Sequence, residues 1–315
     1  MADFSTEKIW RNGQFVDWGQ ATLHVTTHAL HYGTAWFEGL RCYKTSRGSE
    51  IFRLPEHVDR LFNSCKIYRT EIPFSREEIQ QAILETIRIN KLEHCYVRPL
   101  VLRGAGSMGL DPLNIPTECF IMVWEWGRYL GEEALKTGVD ICVSSWYRAA
   151  PNTFPAMAKA AGNYISSTLI KMEAVLDGFA EGVALDVHGY VSEGSGENIV
   201  LIRDGVLYTP SVNHSILPGI TRDTVLTLAR ERDYTVIEQT IPREMLYLAD
   251  EIFLTGTAAE VTPIRSIDHI KIGQGERGPI TAQLQRDFFD YVEGHVDDRH
   301  DWMTTVYSKN SVRTR

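Results

Sequence analysis

Apolar residues along this chain recur with two periods, and the period of two dominates. Ile9-Trp10 and Phe15-Val16 flank Asn12-Gly13, a dipeptide suited to a two-residue turn, so residues 8–17 are predicted as a hairpin. Glu50-Ile51-Phe52-Arg53 reads as a short strand. A helix starting at Pro55 follows, with Val58, Leu61, Phe62 and Cys65 as its buried stripe. Ser75-Arg76-Glu77-Glu78 is a capping box opening a second helix carried by Ile79, Ala82, Ile83 and Ile87. Residues 94–103, 119–124 and 139–146 read as strands, and 160–177 as a helix closed by Gly178.

Beyond that helix the pattern is strand, turn, strand. Val183–Val187 and Tyr190–Ser192 pair around His188-Gly189, and Ile199–Ile202 pairs with Val206–Tyr208 around Asp204-Gly205. The turn from Leu217 to Asp223 runs into a helix through Leu226 and Leu228. The strand Glu251–Leu254 empties into a small-residue loop, and a last helix carries Leu284, Phe288, Phe289 and Val292. The polar tail from Asp297 to Arg315 is predicted to be peripheral. Gly127, Gly131 and nearby charges interrupt two strands. The expected division is therefore a small N-terminal α/β domain over 1–126, a loop over 127–137 and a larger hairpin-rich domain over 138–315. Consecutive hairpins, in place of alternating βαβ units, make the chain α+β.

Composition adds limits. A chain of 315 residues exceeds the usual size of one core, in line with two domains. A net charge of −9 disfavours nucleic acid as a partner, because phosphates would be repelled. Met1-Ala2-Asp3-Phe4 opens no basic-then-apolar leader and no stretch approaches a membrane span, so a cytoplasmic location with no membrane partner is expected. Five cysteines, odd in number and scattered, read as reduced core residues, and no metal-ligand spacing is present among cysteines or histidines.

Two clusters carry the candidate chemistry. Ala158-Lys159-Ala160-Ala161-Gly162-Asn163-Tyr164 sets one lysine among small residues, where lost water favours the neutral, nucleophilic amine; the alternative is a lysine beside a helix at the surface. Glu193-Gly194-Ser195-Gly196-Glu197-Asn198 offers a carboxylate before a glycine-rich turn, or an ordinary solvated turn residue. Other positions are equally double-valued. Arg60 beside its helix stripe is a surface residue or a phosphate ligand. Tyr96 and Arg98 share one strand face, as a substrate-carboxylate site or a structural ion pair. The helix start at Ile220-Thr221 and the loop Thr255–Glu260 suit an anion or are simply turns, and His28–Leu40 is a packed turn or a pocket wall.

In joint order and spacing these motifs match a known pattern. With His31-Tyr32-Gly33, Phe37-Glu38-Gly39, Tyr96-Val97-Arg98-Pro99, Pro218-Gly219-Ile220-Thr221-Arg222 and Gly256-Thr257-Ala258-Ala259-Glu260, the chain resembles the fold-type IV pyridoxal phosphate aminotransferases, most closely the branched-chain amino acid group, from about Ile9 to Val292. The resemblance implies two α/β domains with the cofactor in the cleft between them, and ping-pong transamination of leucine, isoleucine or valine with 2-oxoglutarate to give the 2-oxo acid and glutamate. It implies that Lys159 holds pyridoxal 5'-phosphate covalently and moves the substrate proton. Glu193 would meet the pyridine nitrogen and Tyr164 the phenolic oxygen, while Arg60, Ile220, Thr221 and Thr257 would bind the phosphate. Thr257, Ala258 and Tyr96 would receive the α-carboxylate. Phe37, Trp126, Tyr129 and Tyr164 would wall the side-chain pocket, and Arg98, Tyr32 and Tyr129 would receive glutamate's distal carboxylate.

Tyr32 and the 106–110 loop, with Leu110, would come from a neighbouring subunit, so a homo-oligomer is expected, at least a dimer, with a hexamer the larger assembly considered. Trp36 and Leu110 are bulkier than the resemblance leads one to expect, and would narrow or reshape the side-chain pocket. D-amino acid or (R)-amine transaminases and aminodeoxychorismate lyases share the fold and are the rival activities. A nucleotide-binding protein is disfavoured, because the 193–198 turn lacks the strand–G-x-G-x-x-G–helix layout.

Overall fold

The structure, a computed structural model, describes residues 6–127 and 131–307. The chain forms two compact units: Met1–Trp126 with Ala158–Gly162 and Asp290–Arg315, and Gly127–Met157 with Asn163–Phe289.

The first unit is built on an eight-stranded sheet in the order Met303–Thr305, Gly48–Phe52, Leu40–Thr45, Cys95–Arg103, Thr117–Trp124, Lys8–Arg11, Gln14–Asp17, with Ala35–Phe37 pairing the far half of Cys95–Arg103. Every pairing is antiparallel. The predicted hairpin is present, with Trp10 opposite Phe15 and Asn12 at a φ of 47°. Helices Leu54–Ile67 and Arg76–Ile89 pack together and on this sheet. Val58, Leu61 and Cys65 of the first helix and Ile79, Ile83 and Ile87 of the second are buried in one core with Ile51, Val97 and Ile121. The Ser75 capping box forms as its spacing predicts, Ser75 Oγ accepting from the Glu78 N–H at 3.1 Å and Glu78 Oε2 from the Ser75 N–H at 2.7 Å.

The second unit holds a nine-stranded mixed sheet in the order Val191–Gly194, Glu181–Leu185, Val139–Val143, Glu260–Ile267, Glu251–Gly256, Asn198–Arg203, Val206–Pro210, Val236–Gln239, with Ile270–Lys271 beside Glu260–Ile267. The expected hairpins form at 183–192 and 199–208. Val139–Val143, however, runs parallel to both its neighbours, and Val206–Pro210 parallel to Val236–Gln239. Helix Tyr164–Leu176 lies against Glu181–Leu185 and helix Ile220–Glu231 against Glu251–Gly256.

Three expectations need correction. The tail is not peripheral: Met303–Thr305 is an edge strand on Gly48–Phe52, and Trp302 and Val306 are buried. The chain also returns to the first unit at 158–162, so 138–315 is not one continuous domain. Within the expected loop 127–137, Glu132–Thr137 is a helix, because Ala134 and Leu135 have an apolar surface to cover in the second unit.

Candidate active site

In the first unit the site grows from one polar face of the Leu54–Ile67 helix. His57, Arg60 and Ser64 are spaced three and four apart, so they share that face. Each pins a different piece of chain. Ser64 Oγ accepts from the Lys159 N–H at 2.9 Å, while the Lys159 carbonyl accepts from the Phe37 N–H at 3.1 Å. Ala158 and Ala160 are buried on either side, and the Lys159 amine stands 5.1 Å from the centre of the Phe37 ring. The lysine is thus half-buried on a fixed backbone and is not a surface residue.

Arg60 and His57 close on Glu38. The Arg60 guanidinium uses Nε to Oε1 at 2.6 Å and Nη2 to Oε2 at 2.9 Å, and His57 Nδ1 lies 2.7 Å from Oε2. Burial works against the charged form of Glu38, but Arg60 and His57 outweigh it and hold the carboxyl far below its ordinary range. His57 is itself pushed down, first by burial, so it stays neutral and donates through Nδ1. A forked guanidinium locked along one edge presents its other edge in a fixed direction.

Tyr96 and Arg98 project from one strand face, as their spacing requires, and Arg98 Nη2 lies 3.4 Å from the Tyr96 hydroxyl. Arg98 stands over the rings of Phe37, Tyr96 and Trp124 at 4.7, 5.3 and 5.8 Å. Its Nε is buried without a hydrogen-bond partner, and no carboxylate pairs with it among the described residues. Among the described residues, the structural ion pair that the sequence left open is therefore not made. Trp126 meets Tyr96 edge-on at 4.8 Å. The Tyr96 hydroxyl sits where a Cβ on Gly39 would come within 1.8 Å of it, so the Phe-Glu-Gly motif needs its glycine for space. Trp36 turns to the opposite side of its strand from Phe37, is 2% exposed, and packs on Tyr68 in the core of the first unit. Tyr32 donates to the Met108 carbonyl at 2.8 Å, which brings it and the exposed Leu110 to one loop cluster. Tyr129 lies outside the described residues.

In the second unit the centre is Glu193, buried at the end of its strand. Its Oε2 accepts from Asn198 Nδ2 and from the Leu217 N–H, both at 3.0 Å. Arg148 Nη2 is 3.4 Å from Oε1, and the same nitrogen donates to the carbonyls of Gly194 and Ser195. Two N–H donors and a guanidinium therefore surround this one carboxylate and fix its position. Glu193 is thus not a solvated turn residue. Ile220 and Thr221 form the first turn of helix Ile220–Glu231, both buried, and Thr257 and Ala258 lie in the turn between Glu251–Gly256 and Glu260–Ile267. Tyr164 is half-buried at the start of its helix.

Sequence reasoning missed the parts played by Glu38, His57, Ser64 and Arg148. The three-and-four spacing of His57, Arg60 and Ser64 was a usable signal. Nothing in the sequence pairs Arg148 with Gly194, which lies 46 residues away.

The chain belongs to the class IV aminotransferases, matching over residues 35–267 the family described as amino-transferase class IV. Within that class it is similar to branched-chain-amino-acid aminotransferases. It is 49% identical to that of Escherichia coli K12 over 97% of this chain and 99% of the relative, and 50% identical to that of Salmonella typhimurium LT2 over 98% and 100%. The crystal structure of the Escherichia coli branched-chain amino acid aminotransferase superposes with a TM-score of 0.95 at 49% identity, covering 96% of this chain and all of that one. The branched-chain amino acid aminotransferase from Thermobaculum terrenum, solved in its PLP-form, gives 0.90 at 35% identity, covering 97% of this chain and 100% of that one. The fold is α+β and of type IV, as the resemblance implied.

Proposed function

We propose that this chain uses pyridoxal 5'-phosphate to move the amino group of leucine, isoleucine or valine to 2-oxoglutarate by a ping-pong mechanism, giving the 2-oxo acid and L-glutamate. The relatives support the reaction. The observation that supports the paired substrates is Arg98, a guanidinium ringed by aromatic side chains and without a carboxylate partner among the described residues. An apolar side chain can lie on those rings, and a distal carboxylate can pair with the charge.

The donor set fits the cofactor: an amine, a buried carboxylate, a guanidinium and a helix start. When bound, pyridoxal phosphate supplies a carbonyl for the amino group and a ring that stabilises negative charge at the substrate's α-carbon. Lys159 would hold it through the side-chain nitrogen and carry the proton to and from that carbon. Glu193 would accept the ring nitrogen's hydrogen bond, and Tyr164 would donate to the phenolic oxygen. Arg60, the N–H groups of Ile220 and Thr221 and the Thr257 hydroxyl would take the phosphate. Thr257, Ala258 and Tyr96 would orient the α-carboxylate; Phe37, Trp126 and Tyr164 would exclude water from the side chain.

A homo-oligomer, at least a dimer, completes this reading, with Tyr32 and the 106–110 loop reaching a neighbour. Leu30, Met108, Leu110 and Leu113 leave apolar surface exposed around that loop. No helix of the described residues is long and apolar enough to cross a membrane, and a cytoplasmic location belongs to the same proposal.

The test is spectroscopic. L-leucine should bleach the visible band of the bound cofactor and 2-oxoglutarate should restore it. Bleaching by D-alanine or (R)-1-phenylethylamine alone would move the assignment to the rival transaminases. Lys159→Ala should bind the cofactor only non-covalently and lose turnover; normal turnover in that variant would remove Lys159 from its role.

A further inference from the structure

Asn198 opens a strand five residues after Glu193 and is 5% exposed. Its Nδ2 donates twice, to Glu193 Oε2 and to the Leu217 carbonyl, each at 3.0 Å. Both partners are acceptors, so chemistry fixes the orientation of the amide. The Leu217 N–H returns to the same Glu193 oxygen at 3.0 Å, closing a small ring of carboxylate, side-chain amide and peptide. Two residues later Gly219 caps the Ile220–Glu231 helix with φ −73° and ψ 130°, a backbone open to any residue. It is glycine for space: a Cβ there would lie 1.9 Å from Asn198 Oδ1. The amide nitrogen thus ties Glu193 to the segment just before that helix, while the amide oxygen packs against the bare backbone of Gly219.

We infer that Asn198 is a positioning residue that locks the Glu193 carboxylate to the N-terminus of the Ile220–Glu231 helix, so that two anchors of the cofactor are held at a fixed separation. The inference rests on the reading above, in which Glu193 meets the ring nitrogen and Ile220-Thr221 the phosphate. Two anchors held rigidly bind a two-ended ligand better than either alone, and loosening their spacing loses that advantage.

The experiment compares the affinities of the apoprotein for pyridoxal phosphate and for pyridoxal, which lacks the phosphate anchor. In Asn198→Asp a carboxylate replaces the donor facing Glu193, and the two acids must share a proton. The preference for the phosphorylated form should fall about tenfold, and the pH titration of the cofactor's visible band should shift. Gly219→Ala, whose backbone accepts alanine, should lower the preference in the same way by displacing Asn198, and should have little further effect in an Asn198→Ala background. It carries the test if Asn198→Asp does not fold. An unchanged preference, with both affinities intact or both falling equally, overturns the inference. So does a Gly219→Ala effect as large without Asn198 as with it. Glu193→Gln tests the underlying reading separately: if it leaves the visible band and its titration unaltered, Glu193 does not meet the ring. If it alters them and Asn198→Asp alters neither band nor preference, only the role of Asn198 fails.

Discussion

Replacing Glu197 by glutamine should make the protein more stable in alkaline solution. Glu197 is buried beside Glu181, whose Oε2 already pairs with the Lys171 amine at 2.9 Å. Burial first, then the Glu181 charge, pushes the Glu197 carboxyl up to about 8, and the Gly196 N–H, Lys171 and Arg148 only partly offset them. Between 4.5, its ordinary value, and about 8, the folded chain keeps a proton that the unfolded chain has lost. Stability from this group is therefore intact below 4.5 and declines as pH rises to about 8, after which it is flat. The ceiling on that decline is ~5 kcal/mol. Glutamine has the shape of the protonated acid, can still accept from Gly196, and cannot ionise. Urea unfolding of the apoproteins should show Glu197→Gln close to wild type near pH 5 and ahead by at least ~2 kcal/mol near pH 8.5. A difference that stays constant across that range would refute the reasoning, because it would mean that Glu197 does not hold a proton in the folded state.

Glu38→Gln removes one partner from a buried charge pair and should cost roughly 3–5 kcal/mol. The loss should be read at neutral pH by denaturant unfolding. It should shrink below pH 4.5, where the unfolded wild-type chain takes up a proton that the folded Glu38 refuses, so that the wild type loses its advantage. Arg98→Ala should raise KM for glutamate and 2-oxoglutarate far more than for leucine, because only the dicarboxylates need that charge. Equal rises in steady-state kinetics would make Arg98 an α-carboxylate or framework residue.

Local signals were readable in the sequence where local physics decides. Asn12-Gly13 and Asp204-Gly205 turn their hairpins because both residues of each pair adopt positive φ, and the Ser75 box closes within four residues. That Glu193 and Lys159 are not ordinary surface residues was suggested by the small residues around each, and both are withdrawn from full exposure. What escaped depends on partners distant in sequence. Met303–Thr305 is too short and polar to announce a strand until Gly48–Phe52 offers it an edge. Trp36 and Phe37 are adjacent on a strand and so face opposite ways, but which face is core is set by Tyr68 and the helix beneath it. Glu38 reads as an ordinary acidic residue until Arg60 and His57 arrive from the next helix.

The strand at residues 303–305 also fixes an order of events during synthesis. Gly48–Phe52 leaves the ribosome early, yet one of its edges waits for a partner about 250 residues further on. At roughly 5–20 residues per second that interval is on the order of tens of seconds. Throughout it the nascent sheet carries an open row of peptide groups, the feature that invites pairing with another chain. The first unit therefore starts to assemble from its beginning and receives the short strand that covers the Gly48–Phe52 edge from its end, which makes the interval before that the time when a nascent chain most needs shielding from its neighbours.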